Sequence, residues 1–146
     1  MSGTERHLEA AELQAGLARI LDAPKDVGVL EMIVRRPRSG QREELAEGEL
    51  TPEAGLVGDG WRSHMGPATV GRPFEPDTQI TLMNSRVVEL LAQDRARWAL
   101  AGDQLFVDLD LSHANVPPGT RLAIGAAVLE VAAEPHTGCR KFVDRF

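Results

Sequence analysis

The sequence predicts a mainly β domain, a barrel of short strands with helices attached. Three observations lead there. Apolar runs of strand length recur at 27–34, 79–83, 105–109, 120–124 and 128–132. Gly- and Pro-containing turns separate them, which is the punctuation of antiparallel strands. Only two long stretches carry a helical period, too few for a regular alternation of strand and helix. At 146 residues the chain suits one domain with a substantial core. We divide it into an N-terminal helical extension, 1–26, and the barrel domain, 27–146.

Residues 5–22 place Leu8, Ala11, Leu13, Leu17, Ile20 and Leu21 near helical spacing, and Pro24 follows, so an amphipathic helix is expected there. Val27–Val34 reads VGVLEMIV, apolar on both alternating faces, as in a strand covered on both sides. Arg35-Arg36-Pro37-Arg38-Ser39-Gly40 has turn chemistry, and Gln41–Leu45 can return as the second strand of a hairpin with a basic tip. Leu50–Pro76, rich in Gly and Pro, reads as a long loop, ordered by Trp61 and Phe74. Gln79–Met83 reads as a strand. Asn84-Ser85 then caps a helix from Arg86 to about Leu100, with Val87, Val88, Leu91, Ala92 and Trp98 toward the core, and Gly102 ends it. Short strands follow at Leu105–Leu109, Thr120–Ile124 and Val128–Ala132.

Composition narrows the function. A net charge of −6 argues against broad electrostatic binding to nucleic acid. No apolar run has the length of a membrane span, and the N-terminus lacks the pattern of a signal peptide. The single cysteine, Cys139, forbids an internal disulfide and suits a reducing cytoplasm. It lies in Pro135-His136-Thr137-Gly138-Cys139-Arg140-Lys141-Phe142. Thr137 has the chemistry of an N-cap, so a short helix is expected to start at the sulfur, its apolar face supplied by Phe142, Val143 and Phe146. Helix-start N–H groups and the cations His136, Arg140 and Lys141 would lower the thiol pKa and favour a thiolate. That thiolate is a nucleophile and a soft-metal ligand, whereas most lone cysteines are small buried apolar residues.

Six segments, Val34-Arg35-Arg36-Pro37, Gly55-Leu56-Val57-Gly58-Asp59-Gly60-Trp61, Gln79-Ile80-Thr81-Leu82-Met83-Asn84, Gly102-Asp103-Gln104-Leu105, Leu122-Ala123-Ile124-Gly125 and Pro135-His136-Thr137-Gly138-Cys139, occur in this order. Together they resemble the MOSC domain found at the C-terminus of molybdenum-cofactor sulfurases and as small stand-alone bacterial proteins. The resemblance covers about residues 27–146. It implies a β-barrel that binds molybdenum cofactor (molybdopterin) or carries sulfur, with Cys139 as persulfide carrier or molybdenum ligand and His136 beside it. It also implies a sulfurtransferase, or an enzyme that reduces N-hydroxylated compounds. Pyridoxal phosphate would come only through a partner cysteine desulfurase; a molybdoenzyme is the other implied partner.

Around the cofactor the expected residues are Arg36, Asp59, Trp61, Arg62, Asp103, Arg140 and Lys141. Guanidinium groups would hold an anionic phosphate, while Asp59 and Asp103 can equally be turn aspartates. Arg38 and Arg42 read as solvated, and Trp61 and Trp98 read first as packing residues. His64, His136 and Cys139 lack the close-spaced ligand pair of a structural zinc site. Two features depart from the resemblance. Gln104 stands where many relatives have Asn, a change of one methylene that preserves the amide and is expected to matter little, and the sequence ends at Phe146, before the strands that complete related barrels. An open edge would then favour marginal stability or a homo-oligomer, unless the N-terminal helix covers it. Two alternatives stay open beside this reading: a non-catalytic cofactor-delivery module, and a single-thiol redox sensor, which would need an external thiol because no resolving cysteine is present.

Overall fold

The computed structural model describes residues 7–38, 40–60, 79–133 and 140–146, with Arg140 and Lys141 described by their backbone alone. In order the elements are α1 (Ala10–Leu21), β1 (Val29–Arg35), β2 (Glu43–Leu45), β3 (Leu50–Thr51), β4 (Gly55–Leu56), β5 (Leu82–Asn84), α2 (Ser85–Ala92), a 3-10 helix (Arg95–Ala101), β6 (Leu105–Asp108), β7 (Arg121–Ile124), β8 (Ala127–Glu130) and α3 (Arg140–Arg145). Strands and helices are present in comparable amounts.

The main sheet has the order β2-β1-β6-β5. Strand β1 is antiparallel to β2, with Val34 opposite Glu44, and antiparallel to β6. Strand β5 runs parallel to β6, with Met83 opposite Phe106. A parallel neighbour needs a crossover, and α2 with the 3-10 helix supplies it. The strand, helix and strand expected over 79–109 therefore form one parallel unit in an otherwise antiparallel sheet. The hairpins β3–β4 and β7–β8 form two separate two-stranded sheets.

Among the described residues the main sheet stays open, with β2 and β5 at its edges, so the expected barrel closure is not seen there. The physical reason is the helical layer. Met32, Val34 and Phe106 on one face of the sheet pack with Val88, Ala92, Trp98 and Phe146. A sheet that buries its apolar face against helices has no need to close on itself. Trp98 is a packing residue as expected, its ring 6.0 Å from that of Phe106 and covered by the Arg95 guanidinium at 5.2 Å. The start of β1 is not covered on both sides: Val29 is 60% exposed.

The predicted helix 86–100 is two helices. Asn84 caps α2 through bonds from the N–H groups of Arg86 (2.8 Å) and Val87 (3.2 Å). At Gln93 the backbone turns left-handed, φ 65°, and Asp94 caps the 3-10 helix by accepting from Ala96 N–H at 2.9 Å. That second helix ends at Gly102, φ 88°. Helix α1 lies against α2 and not at a sheet edge. Arg19 pairs with Glu89 at 3.0 Å, and Arg86 donates to the carbonyl of Arg19 at 2.8 Å while pairing with Asp108 of β6 at 2.7 Å. No helix among the described residues is long and apolar enough to cross a membrane.

The link from α1 to β1 is clasped to the chain after β6. Lys25 donates to Asp110 at 2.6 Å, the Asp110 N–H reaches the carbonyl of Pro24 at 2.8 Å, and Asn115 Nδ2 donates to the carbonyls of both Lys25 and Asp110. Hydrogen bonds from Lys25 and Ser112 lower the pKa of Asp110 to about 2. Because the folded value lies below the unfolded one of about 3.9, the clasp stabilises fully above the unfolded value and is lost as pH falls through about 2. The melting-temperature difference between wild type and Asp110→Asn should hold steady from neutral pH to about pH 5 and shrink below about pH 4. A difference that is flat across the acid range would show that the clasp contributes nothing.

Candidate functional site

Among the described residues the predicted site centres on Asp59. Its carboxylate has no exposure to solvent. A buried carboxylate needs a cation or several N–H donors to remain charged. Arg36, at the end of β1, meets it from two directions: its backbone N–H donates to Oδ1 at 2.7 Å, while Nε and Nη2 reach Oδ1 and Oδ2 at 3.1 and 3.0 Å. This side-on fork is the strongest arrangement available to an arginine–carboxylate pair. Arg36 Nη1 then donates to the carbonyl of Gly102 at 3.0 Å, and the Arg36 carbonyl accepts from Gly60 N–H at 2.7 Å.

Gln104 continues the network. It is fully buried, and both ends of its amide are used. Oε1 accepts from the backbone N–H and hydroxyl of Thr81, at 2.9 and 2.8 Å. Nε2 donates to the carbonyl of Gln79 at 3.0 Å and reaches Asp59 Oδ2 at 3.4 Å. The Gln104 carbonyl accepts from Val34 N–H at 2.7 Å. Asp103, between Gly102 and Gln104, is 2% exposed. Gln104 is therefore no neutral exchange for Asn, since an amide one methylene shorter would not span the same partners.

The glycines before Asp59 are required by the backbone. Gly55 has φ 69°, and a Cβ there would sit 2.9 Å from the Gln79 carbonyl oxygen. Gly58 has φ 88°, and a Cβ there would sit 2.6 Å from Arg35 Nη1. Any other L-residue at either position would be strained by its φ, and at Gly55 its Cβ would also press on backbone, which cannot give way as the Arg35 side chain beside Gly58 can.

The other sequence-predicted residues divide as follows. Trp61, Arg62, His64, His136 and Cys139 lie outside the described residues. Arg140 and Lys141 open α3, so the backbone is helical from the residue after Cys139. This helix docks by its other end. Phe146 is buried, its ring 4.9 Å from Phe142 and 5.3 Å from the Arg97 guanidinium, and Val143 faces outward.

Arg38 is exposed as expected, whereas Arg42 is half-buried and donates to the carbonyls of Ala99 (3.2 Å) and Gln41 (2.9 Å). Among the described residues no three His, Cys, Asp or Glu side chains gather as a metal-holding group. Neither the apolar cleft of about 810 Å³ that includes Leu30, Ile33, Leu56, Leu105 and Ile124 nor the polar one of about 620 Å³ beside Trp98 is lined by Arg36, Asp59 or Asp103.

Sequence reasoning missed Arg145, read Arg42 as solvated, gave Thr81 no role beyond its segment and undervalued Gln104. A polar residue directly before the apolar run of β6 was the available signal for Gln104; nothing local marked the others. Comparison of the chain with family models, curated proteins and solved structures returned no match.

The network generates an asymmetric expectation. Arg36→Met leaves the Asp59 carboxylate buried without its cation and should cost on the order of 3–5 kcal/mol in urea unfolding. Asp59→Asn strands a guanidinium that is 20% exposed and should cost clearly less. Equal losses, or losses under about 1 kcal/mol for both, would show that the pair behaves as a surface ion pair.

Proposed function

We propose that this chain is a MOSC-type domain that binds molybdenum cofactor or carries sulfur, with Cys139 as molybdenum ligand or persulfide carrier. One observation carries the reading. Four of the six segments behind the resemblance, those containing Val34–Arg36, Gly55–Gly60, Gln79–Thr81 and Gly102–Gln104, are far apart in sequence and meet in the Arg36–Asp59–Gln104 network. A chance scatter of common Gly-Asp pairs has no reason to converge on one buried carboxylate.

The described residues fit an anionic cofactor at one point. Arg36 is partly exposed, and three of its five guanidinium N–H groups are engaged with Asp59 and Gly102. Asp59 and Asp103 are buried, so in this reading they position the 55–60 and 102–104 turns and do not touch the ligand. Trp61, Arg62, Arg140 and Lys141 remain the proposed contacts, with His136 as proton donor. When bound, molybdenum cofactor would supply the redox metal or accept the transferred sulfur.

As a sulfur carrier, the Cys139 thiolate attacks the outer sulfur of a desulfurase persulfide. The S–S bond breaks, the partner leaves as a thiolate, Cys139 becomes the persulfide, and no outside oxidant is needed. A delivery module that only binds the cofactor would share the basic residues and dispense with the thiol.

The test is protein purified from cells supplied with molybdate, assayed for molybdenum, for pterin and for persulfide. We expect molybdenum with pterin, or persulfide, in wild type. Cys139→Ala should lose persulfide or metal. Pterin retained undiminished in Cys139→Ala would favour delivery, and a wild type carrying none of the three would refute the reading. The thiol gives a second expectation: iodoacetamide should alkylate Cys139 rapidly near pH 7, and a rate that rises only above about pH 8 would mean an ordinary thiol.

A further inference from the structure

Three guanidinium groups converge on the C-terminal end of the 3-10 helix. Arg42 Nε donates to the carbonyl of Ala99 at 3.2 Å, Arg145 Nη1 to that of Leu100 at 2.8 Å, and Arg36 Nη1 to that of Gly102 at 3.0 Å. They come from the residue after β1, from the hairpin turn that follows and from α3, parts of the chain up to 109 residues apart that meet at this helix end. Carbonyls at a helix end attract cations, although their partial charge amounts to about half an electron. Asp59 acts on the cluster as a counter-charge, through its pair with Arg36 and its attraction for Arg42. The nearby Glu43 and Glu44 are engaged elsewhere, with Arg35 at 2.5 Å and Arg95 at 3.3 Å. At Arg42, repulsion from Arg145 and from Arg36 each outweighs the attraction of Asp59.

Arg42 is held below the ordinary arginine pKa, first by burial and then by repulsion from Arg145 and Arg36, which Asp59 only partly offsets. Donors also remain available. The described hydrogen bonds use one N–H of Arg145, two of Arg42 and three of Arg36, out of five on each. Planar forks with spare N–H groups and mutual repulsion are the chemistry that recognises tetrahedral oxyanions.

We propose that Arg36, Arg42 and Arg145, gathered at the end of the 3-10 helix, form a binding site for a dianion of the phosphate class, free or as a monoester. Arg36 is shared with the proposed cofactor site, whereas Arg42 and Arg145 are not, and the binding is independent of Cys139. A bound dianion relieves the repulsion among the three guanidinium groups and ties the end of β1, the hairpin turn and α3 to the same helix end.

The experiment uses the full wild-type chain, modified with the arginine reagent phenylglyoxal and mapped by mass spectrometry at constant ionic strength. Inorganic phosphate and glycerol 2-phosphate are the probes, and chloride is the control. We expect phosphate to slow modification of Arg42 and Arg145 severalfold while exposed Arg38 reacts as before. Protection by both probes assigns a monoester-compatible site, and protection by phosphate alone assigns a free-ion site. In calorimetric titration, Arg42→Gln and Arg145→Gln should each weaken phosphate binding on the order of tenfold, the loss of one charge-assisted contact. Unchanged modification rates at millimolar phosphate, or equal affinity in wild type and both variants, would overturn the proposal. The footprint on wild type decides the matter even if a variant fails to fold.

Discussion

A buried carboxylate cannot stand alone, and the need to partner Asp59 organises the middle of this molecule. Desolvating a charge costs several kcal/mol unless a counter-ion and hydrogen bonds replace the lost water. Arg36 supplies both the charge and a backbone N–H, and Gln104 adds an amide. Each partner is itself tethered. Arg36 continues β1 beyond its last residue, and Gln104 leads directly into β6, the central strand that pairs with β1 and β5. The ion pair, together with the backbone bond from Gly60 N–H to the Arg36 carbonyl, therefore fixes the 55–60 turn relative to the sheet.

The helical layer follows from the same frame. Gly102 accepts from Arg36, so the end of the 3-10 helix is held where β6 begins. Trp98 is then placed over Phe106, and α3 lies against that helix through Arg97, which bonds the carbonyl of Arg145, and Arg145, which bonds that of Leu100. Polar contacts at the sheet end and apolar packing beneath it thus support one arrangement. Such agreement between levels is what lets a short sequence specify a single fold.

Local chemistry made part of this legible in the sequence. The hairpins β1–β2 and β7–β8, the Asn84 cap, the stop at Gly102 and the burial of Val88, Ala92 and Trp98 all follow from patterns within a few residues. The break at Gln93 does not, because it uses neither glycine nor proline; only the capping chemistry of Asp94 hinted at it. Exposure of Val29 is equally invisible locally, since an apolar strand residue reads the same with or without a covering layer. The site was legible as a set of residues and not as a geometry. Arg36 and Asp59 are 23 residues apart and Gln104 lies 45 beyond Asp59, so no spacing rule pairs them. Arg42 was misread as solvated because the carbonyl that holds it, that of Ala99, is 57 residues away.

Gln104 has one further effect on the chain. A single amide group grips Asp59 on one side and Gln79 and Thr81 on the other, so the polypeptide leaves this point and returns to it. The separation of the two anchors is set by a side chain that belongs to neither. One side chain thus sets two turns against each other and against the start of β6, so a change at residue 104 is felt at all three places together and cannot be offset by adjusting any one of them.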